Sequence, residues 1–325
     1  MGGIAEVDSQ EMHLLSILLG IIPLFAADSV RVDVIQNEVW ITRNPESSTG
    51  VSKQLTRDGK AKIQAELSSA HDRIAYYEEC PESEHCRPTV VILDLEGTRL
   101  QTFQPHSSAF GSDETCGSIL RISWVRGDSA IAVECHATPS ESLYIEFDLA
   151  ARKNVRDLVG LDFTPSPDGK HVAHVGPIPH FAPPYAKSHF LFIDDTVVYP
   201  LPKDTKPFRW KVDGAMPDIV QTRGDKFVGI HAFGQFAWSP DSTRVAFSDY
   251  IFDWIGDEAG NESSRRCPIA VVSLTGAFSL VPLRGASVAT ICAGRPSWVD
   301  DHQLKVMFPA SSGHAALPPR TIKIP

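Results

Sequence analysis
Apolar residues alternate with polar ones on both sides of a short polar turn at 236–250, FAWSPDSTRVAFSDY. Phe236 and Trp238 precede the turn, and Val245 and Phe247 follow it. A period of two places one face of each strand against a core, and Ser239-Pro240-Asp241-Ser242 supplies the reversal. Pro240 sets φ for the first central turn position, and the Asp241 carboxylate can accept nearby backbone N–H groups. The pattern predicts a β-hairpin, too small to be stable outside a larger sheet.

Related units recur at 163–176 (FTPSPDGKHVAHVG), 122–135 (ISWVRGDSAIAVEC), 65–79 (AELSSAHDRIAYYEE) and 296–308 (PSWVDDHQLKVMF). Aligned on their turn aspartates, the five copies sit at Asp72, Asp128, Asp168, Asp241 and Asp301. Most are followed by a second strand pair, at 89–103, 142–158, 189–201 and 269–283. Four strands in about 40–50 residues is the signature of an antiparallel β-propeller blade, and the chain is predicted to be all-β. The interval from 168 to 241 has room for two blades, so 197–210, with its Pro-Lys-Asp-Thr turn, is expected to be a worn sixth copy.

WSPDSTRVAF and PSPDGKHVAHV, followed by FLFIDD or IAVVSL, resemble the WD40-like, Pro-Asp-type repeats of the TolB-like β-propeller superfamily. KQLTRDG at 53–59 is similar to the link that joins blades there. The resemblance covers the chain from about residue 30 onward. It implies a ring of six blades, with five as the alternative, in a secreted or periplasmic protein. Both ends look like partial blades, so the strands at 29–43 are expected to complete the blade that ends at 320–325.

The net charge of −10 argues against a nucleic-acid backbone or an anionic membrane as partner. The apolar run from Leu14 to Ala27 is short for a bilayer span, and Ala26 and Ala27 before Asp28 suit signal-peptidase cleavage. The acidic stretch before it places the true start at Met12. The expected division is an extension and signal peptide over 1–27 and one propeller over 28–325, with no transmembrane segment in the mature chain. Six cysteines, an even count, suit an oxidising compartment. Cys80 and Cys86 bracket a short loop between predicted strands, Cys116 and Cys135 flank the Arg-Gly-Asp-Ser turn, and Cys267 and Cys292 remain.

No Gly-x-Ser-x-Gly, phosphate loop, His-Glu-x-x-His or dinucleotide fingerprint occurs in the sequence. His171 and His174 are three apart on a predicted strand, so they point to opposite faces and do not share a metal with His180. The Pro-rich loop at 176–190 offers His180, Phe181 and Tyr185 as a candidate ligand contact. Asp249, Asp253, Asp257 and Glu258 are expected in a solvated acidic loop rather than a Ca²⁺ site. The leading expectation is a binding module for a protein or small ligand, without catalysis, metal or cofactor. The alternatives are a carbohydrate-active propeller with carboxylates at the central channel, and a structural subunit of an envelope complex.

Overall fold
The computed structural model describes residues 29–80, 87–109, 114–138, 141–176, 188–210, 221–223, 226–255, 261–283, 294–308 and 315–324. The chain is all-β, with every described ladder antiparallel and no helix among the described residues. β1 (Val30–Ile35), β2 (Glu38–Arg43) and β3 (Val51–Gln54) form a three-stranded sheet. A second sheet follows in chain order as β4 (Lys62–Leu67), β5 (Arg73–Glu78), β6 (Thr89–Asp94) and β7 (Arg99–Phe103). The short pair β8 (His106–Ser107) and β9 (Glu114–Thr115) stands beside it.

An eight-stranded sheet comes next. It takes in β10 (Ser118–Val125), β11 (Ala130–Thr138), β12 (Glu141–Asp148), β13 (Lys153–Pro165), β14 (Val172–Val175), β15 (Leu191–Ile193), β16 (Thr196–Tyr199) and β17 (Phe208–Arg209). The long strand β13 pairs with β12 through its first half and with β14 through its second, so it welds a four-stranded unit to a five-stranded one.

Beyond it two sheets interleave along the chain. β18 (Gln221–Arg223) and β19 (Lys226–Ala232) precede β20 (Ala237–Trp238) and β21 (Arg244–Ser248). β22 (Tyr250–Ile255) and β23 (Asn261–Arg266) then lead to β24 (Ile269–Ser273) and β25 (Phe278–Val281). The ladders sort these into β18-β19-β22-β23 and β20-β21-β24-β25. A last three-stranded sheet holds β26 (Arg295–Asp300), β27 (Gln303–Phe308) and β28 (Leu317–Lys323).

All five predicted repeat hairpins are present, as β4-β5, β10-β11, β13-β14, β20-β21 and β26-β27. Apolar layers lie between successive sheets and between the two units of the eight-stranded sheet. One layer joins Ile41 to Tyr76, the next Val90 to Ile131, and another Tyr144 to Phe163. Val198 then meets Phe247, and Val271 meets Leu304.

The repeat turns explain the recurring serine. Ser68, Ser166 and Ser239 each accept, through Oγ, the backbone N–H five residues on, at 3.0 Å in all three. The third residue after each serine has a left-handed backbone: His71 (φ 57°), Gly169 (φ 69°) and Ser242 (φ 60°). Glycine adopts this φ freely, and at 169 a Cβ would also stand 3.0 Å from Arg126 Cα. The aligned aspartates are not structurally equivalent. Asp168 and Asp241 lie two residues after the serine and Asp72 four after, yet each accepts that serine hydroxyl, at 2.6, 2.6 and 2.9 Å.

A second pattern, across sheets, was not visible in the sequence. The indole N–H of Trp124, Trp238 and Trp298 donates to a carbonyl of the preceding sheet, those of Glu66, Thr164 and Ala237, at 3.1, 2.8 and 2.9 Å. Each acceptor lies two residues before the repeat serine. The residue five after that serine covers the indole: Arg73 over Trp124 at 4.9 Å, Arg244 over Trp298 at 5.1 Å, and His171 beside Trp238. The N–H two after the serine donates to a side chain of the next turn, in Asp128, Ser242 and Asp301. The buried Asp128 therefore ties one turn to its neighbour rather than closing its own.

Several expectations are corrected. Residues 197–210 are not a separate copy, because β16 and β17 are the outer strands of the sheet that begins with the second half of β13. The N-terminal and C-terminal strands do not share a sheet among the described residues, since β1–β3 and β26–β28 each pair only within their own set. The acidic stretch near 250 is largely strand. Asp249 is fully buried, accepting the Tyr199 hydroxyl at 2.6 Å and pairing with His231 at 2.9 Å. Asp253 pairs with Lys226 at 3.0 Å. Asp257 and Glu258 lie outside the described residues.

Candidate functional site
Three of the repeat hairpins are bent at an equivalent point, in or just before their first strand. Gln64, Asp162 and Gln235 each stand four residues before a repeat serine and have φ of 49°, 57° and 56°. A left-handed residue in or just before a strand unpairs it locally and re-aims its side chain. Gln64 uses this to grip the neighbouring sheet, donating to Ile122 O at 3.0 Å and accepting Ile122 N at 2.9 Å. Asp162 and Gln235 are exposed instead, and both line two adjoining clefts at the strand ends away from the repeat turns.

The larger cleft measures about 480 Å³ and is walled by His189, Phe233, Tyr250 and Arg295 besides Asp162 and Gln235. The other, about 420 Å³, adds Leu120, Arg121, Glu134, Phe163 and Thr164. Asp162 and Arg295 have no ion-pair partner among the described residues. The Asp162 carboxylate lies against Gly234, where a Cβ would collide with it, so glycine at 234 leaves room for that group. Below this rim Arg121 pairs with Glu134 at 2.9 Å and donates to Phe163 O at 3.2 Å.

Electrostatics divide the site. Burial pushes the Glu134 carboxyl above its ordinary range, Arg121 pulls it back, and Asp162 adds to the rise. Burial likewise raises Glu66, against a hydrogen bond from Gln64 at 2.6 Å and the field of Arg121. His189 is pushed down by burial, so its imidazole is neutral at pH 7. Its Nδ1 lies 2.7 Å from Phe233 O and 2.9 Å from Phe233 N, so it donates to the carbonyl or accepts from the amide according to its tautomer. The rim thus presents an anion, a cation, an amide and a neutral imidazole beside aromatic rings. That set suits orientation of a polar ligand.

His180, Phe181 and Tyr185 lie outside the described residues. Cys116 and Cys135 form the expected disulfide, with Cα atoms 5.6 Å apart. Cys80 and Cys267 are also disulfide-bonded, whereas Cys86 and Cys292 lie outside the described residues. His174 is buried and within hydrogen-bonding distance of Asp194 O at 2.7 Å, while His171 pairs with the Asp194 carboxylate, so the two histidines do part company. Sequence reasoning did not single out Glu66, Arg121, Glu134, Asp162, His189, Gln235 or Arg295. The available signal was the fixed offset of Gln64, Asp162 and Gln235 from the repeat serines.

No family model matches the sequence, and no curated protein matches it either. Among solved structures the chain is similar to the β-propeller domain of the Trilobed protease from Pyrococcus furiosus. The TM-score is 0.43 at 11% identity, over 87% of this chain and 75% of that one. It is also similar to TolB from Acinetobacter baumannii, with TM-score 0.35 and 13% identity, over 88% of this chain and 57% of that one. The tricorn protease gives 0.43 at 11% identity, over 86% of this chain and 26% of that one. The chain therefore spans little more than half of that TolB and about a quarter of the tricorn protease chain.

Proposed function
We propose that the chain is a β-propeller of six sheet units, acting in a secreted or periplasmic setting, that binds a protein segment or small polar ligand without chemical change. The units are β1–β3, β4–β7, β10 to the first half of β13, the rest of β13 to β17, the β20-β21-β24-β25 sheet, and β26–β28. The β18-β19-β22-β23 sheet is an excursion from the fifth. Export is supported by the Cys116–Cys135 disulfide and the bonded Cys80 and Cys267. The mature chain then begins at Ala27 or Asp28, and its single propeller covers 28–325.

The observation that carries the binding role is the cleft rim. Asp162 and Arg295 are exposed, with no ion-pair partner among the described residues, on strands whose other faces are packed in the core. Ser248, the serine of the cleft wall, donates its hydroxyl to Gly294 O and has no histidine partner among the described residues, which fits binding better than nucleophilic attack. To test this, the mature protein and its Asp162→Lys and Arg295→Glu variants would be used to capture partners from their own envelope fraction. A species bound by the parent and lost from both variants supports the reading. Equal capture by all three would refute it.

One observation favours a second reading, cleavage of a glycan. The carboxyls of Glu66 and Glu134 are both raised by burial and both feel the charge of Arg121, and a general acid needs such a shift. Release of reducing sugar that vanishes in Glu66→Gln or Glu134→Gln would establish it.

A further inference from the structure
Away from the cleft, β7 is the outermost strand of its sheet, so one row of its backbone N–H and C=O groups has no ladder partner among the described residues. This edge runs along a groove of about 600 Å³, lined by residues 99–104 on one side and by Phe147 and Arg152 of the next sheet on the other. Phe103 and Phe147 stack at 3.9 Å to floor it, and Leu100 is half-exposed on the rim. Strand edges are usually guarded against pairing. Here the edge borders an open channel long enough to receive another strand.

The charge of the groove opposes that of the molecule. On a chain of net charge −10, the groove lining contains Arg99, Arg152 and His106, and no carboxylate among its described residues. Arg99 is bonded to Glu78 at 3.2 Å, but Glu78 also takes Lys60 at 3.0 Å, so that trio keeps a positive charge. Arg152 is exposed, with φ of 53° in the β12–β13 turn, and has no ion-pair partner among the described residues.

We propose that this groove binds an acidic peptide segment in extended conformation, added as a fifth strand to the outer edge of β7. Main-chain hydrogen bonds to β7 supply the pairing, and alternate side chains of the segment fall on the Phe103–Phe147 floor. Carboxylates on the opposite alternation reach Arg152 and Arg99.

The test uses the full mature protein and a labelled hexapeptide, acetyl-Glu-Val-Asp-Val-Glu-Thr-amide. Its controls are the same peptide with Lys at each acidic position, and two versions N-methylated at alternate residues in either register. Binding is followed by fluorescence anisotropy and by amide NMR shifts. The acidic peptide should bind and move the amides of 99–104. Methylation in one register, which removes the pairing N–H groups, should weaken it by about tenfold or more. Arg152→Glu and Leu100→Glu, both at exposed positions, should weaken it with unchanged melting. Binding that is equal for the lysine peptide, that survives both methylated registers, or that shifts Asp162 and Arg295 rather than 99–104 would overturn the proposal.

Discussion

Replacing Trp238 separates packing from the indole hydrogen bond at the junction between two sheets. The side chain is 7% exposed and packs with Val245, Phe247 and Phe236. Its Nε1 donates to Thr164 O of the preceding sheet at 2.8 Å. Trp238→Ala removes the whole ring from a layer that cannot collapse, because neighbouring strands are fixed by their own ladders. The expected cost is about 3–5 kcal/mol. Trp238→Phe retains most of the apolar area and deletes the donor. Thr164 is only half-buried and water can reach its carbonyl, so this change should cost about 1 kcal/mol more than the loss of ring volume alone, which is about 1 kcal/mol itself. Asp241→Ala, at an exposed turn, should cost about 1 kcal/mol. Urea unfolding followed by fluorescence and far-UV circular dichroism would give the midpoints, with the slope checked for constancy. The reasoning fails if Trp238→Ala costs no more than Asp241→Ala, or if Phe is as damaging as Ala.

Further outcomes follow from the same geometry. The carboxyls of Asp72, Asp168 and Asp241 are held low, chiefly by their serine hydroxyls, so the unfolded chain takes up their protons first. The stability they contribute should be complete above about pH 4 and fall as pH drops through the lowered folded values, and Asp168→Asn should flatten that acid limb of a pH–melting curve. Carbon-detected NMR should place the Glu66 and Glu134 midpoints above 4.5 and those three aspartates below 3.8; the reverse order would be inconsistent with the burial seen here. The Cys116–Cys135 bridge closes 19 residues of sequence, so converting both to Ser should cost about 3 kcal/mol in urea unfolding under non-reducing conditions. Terminal sequencing of native protein should start at Ala27 or Asp28, and an intact 1–20 would reject export.

The sequence revealed the hairpins because their information is local. A serine, a turn residue with left-handed backbone and two runs of period two lie within fifteen positions, as at Ser239–Arg244. The tryptophan latch was hidden because its acceptors are backbone carbonyls, which any residue supplies, and its donors lie 58 to 74 positions away. Interleaving of β18-β19-β22-β23 with its neighbour was equally hidden, since the repeat spacing there is stretched by strands that pair with each other and not with the repeat. The site fared worst. Glu66, Arg121, Asp162 and Arg295 come from four different strands in three sheets, and each alone looks like an ordinary surface charge. The expectation of a solvated loop around Asp249 failed for a related reason, because its partners Tyr199 and His231 are 50 and 18 residues distant.

The strand Lys153–Pro165 makes one junction unlike the rest. Pro165 occupies the position where three sister units carry Trp124, Trp238 and Trp298 and the first carries Leu67, so this junction has no indole latch. It is bridged instead by one unbroken backbone and by Arg156, which pairs with the buried Glu146 at 2.6 Å on one side and reaches Asp194, at 3.4 Å, and Lys170 O on the other. Elsewhere, a solvent-facing loop can be cut and the flanking sheets can still meet through side chains. At this junction a cut would fall inside a ladder. A protein divided into two co-expressed fragments should therefore reassemble when broken between Phe103 and Glu114, and should not when broken at Gly160, making 118–209 the smallest indivisible block of the fold.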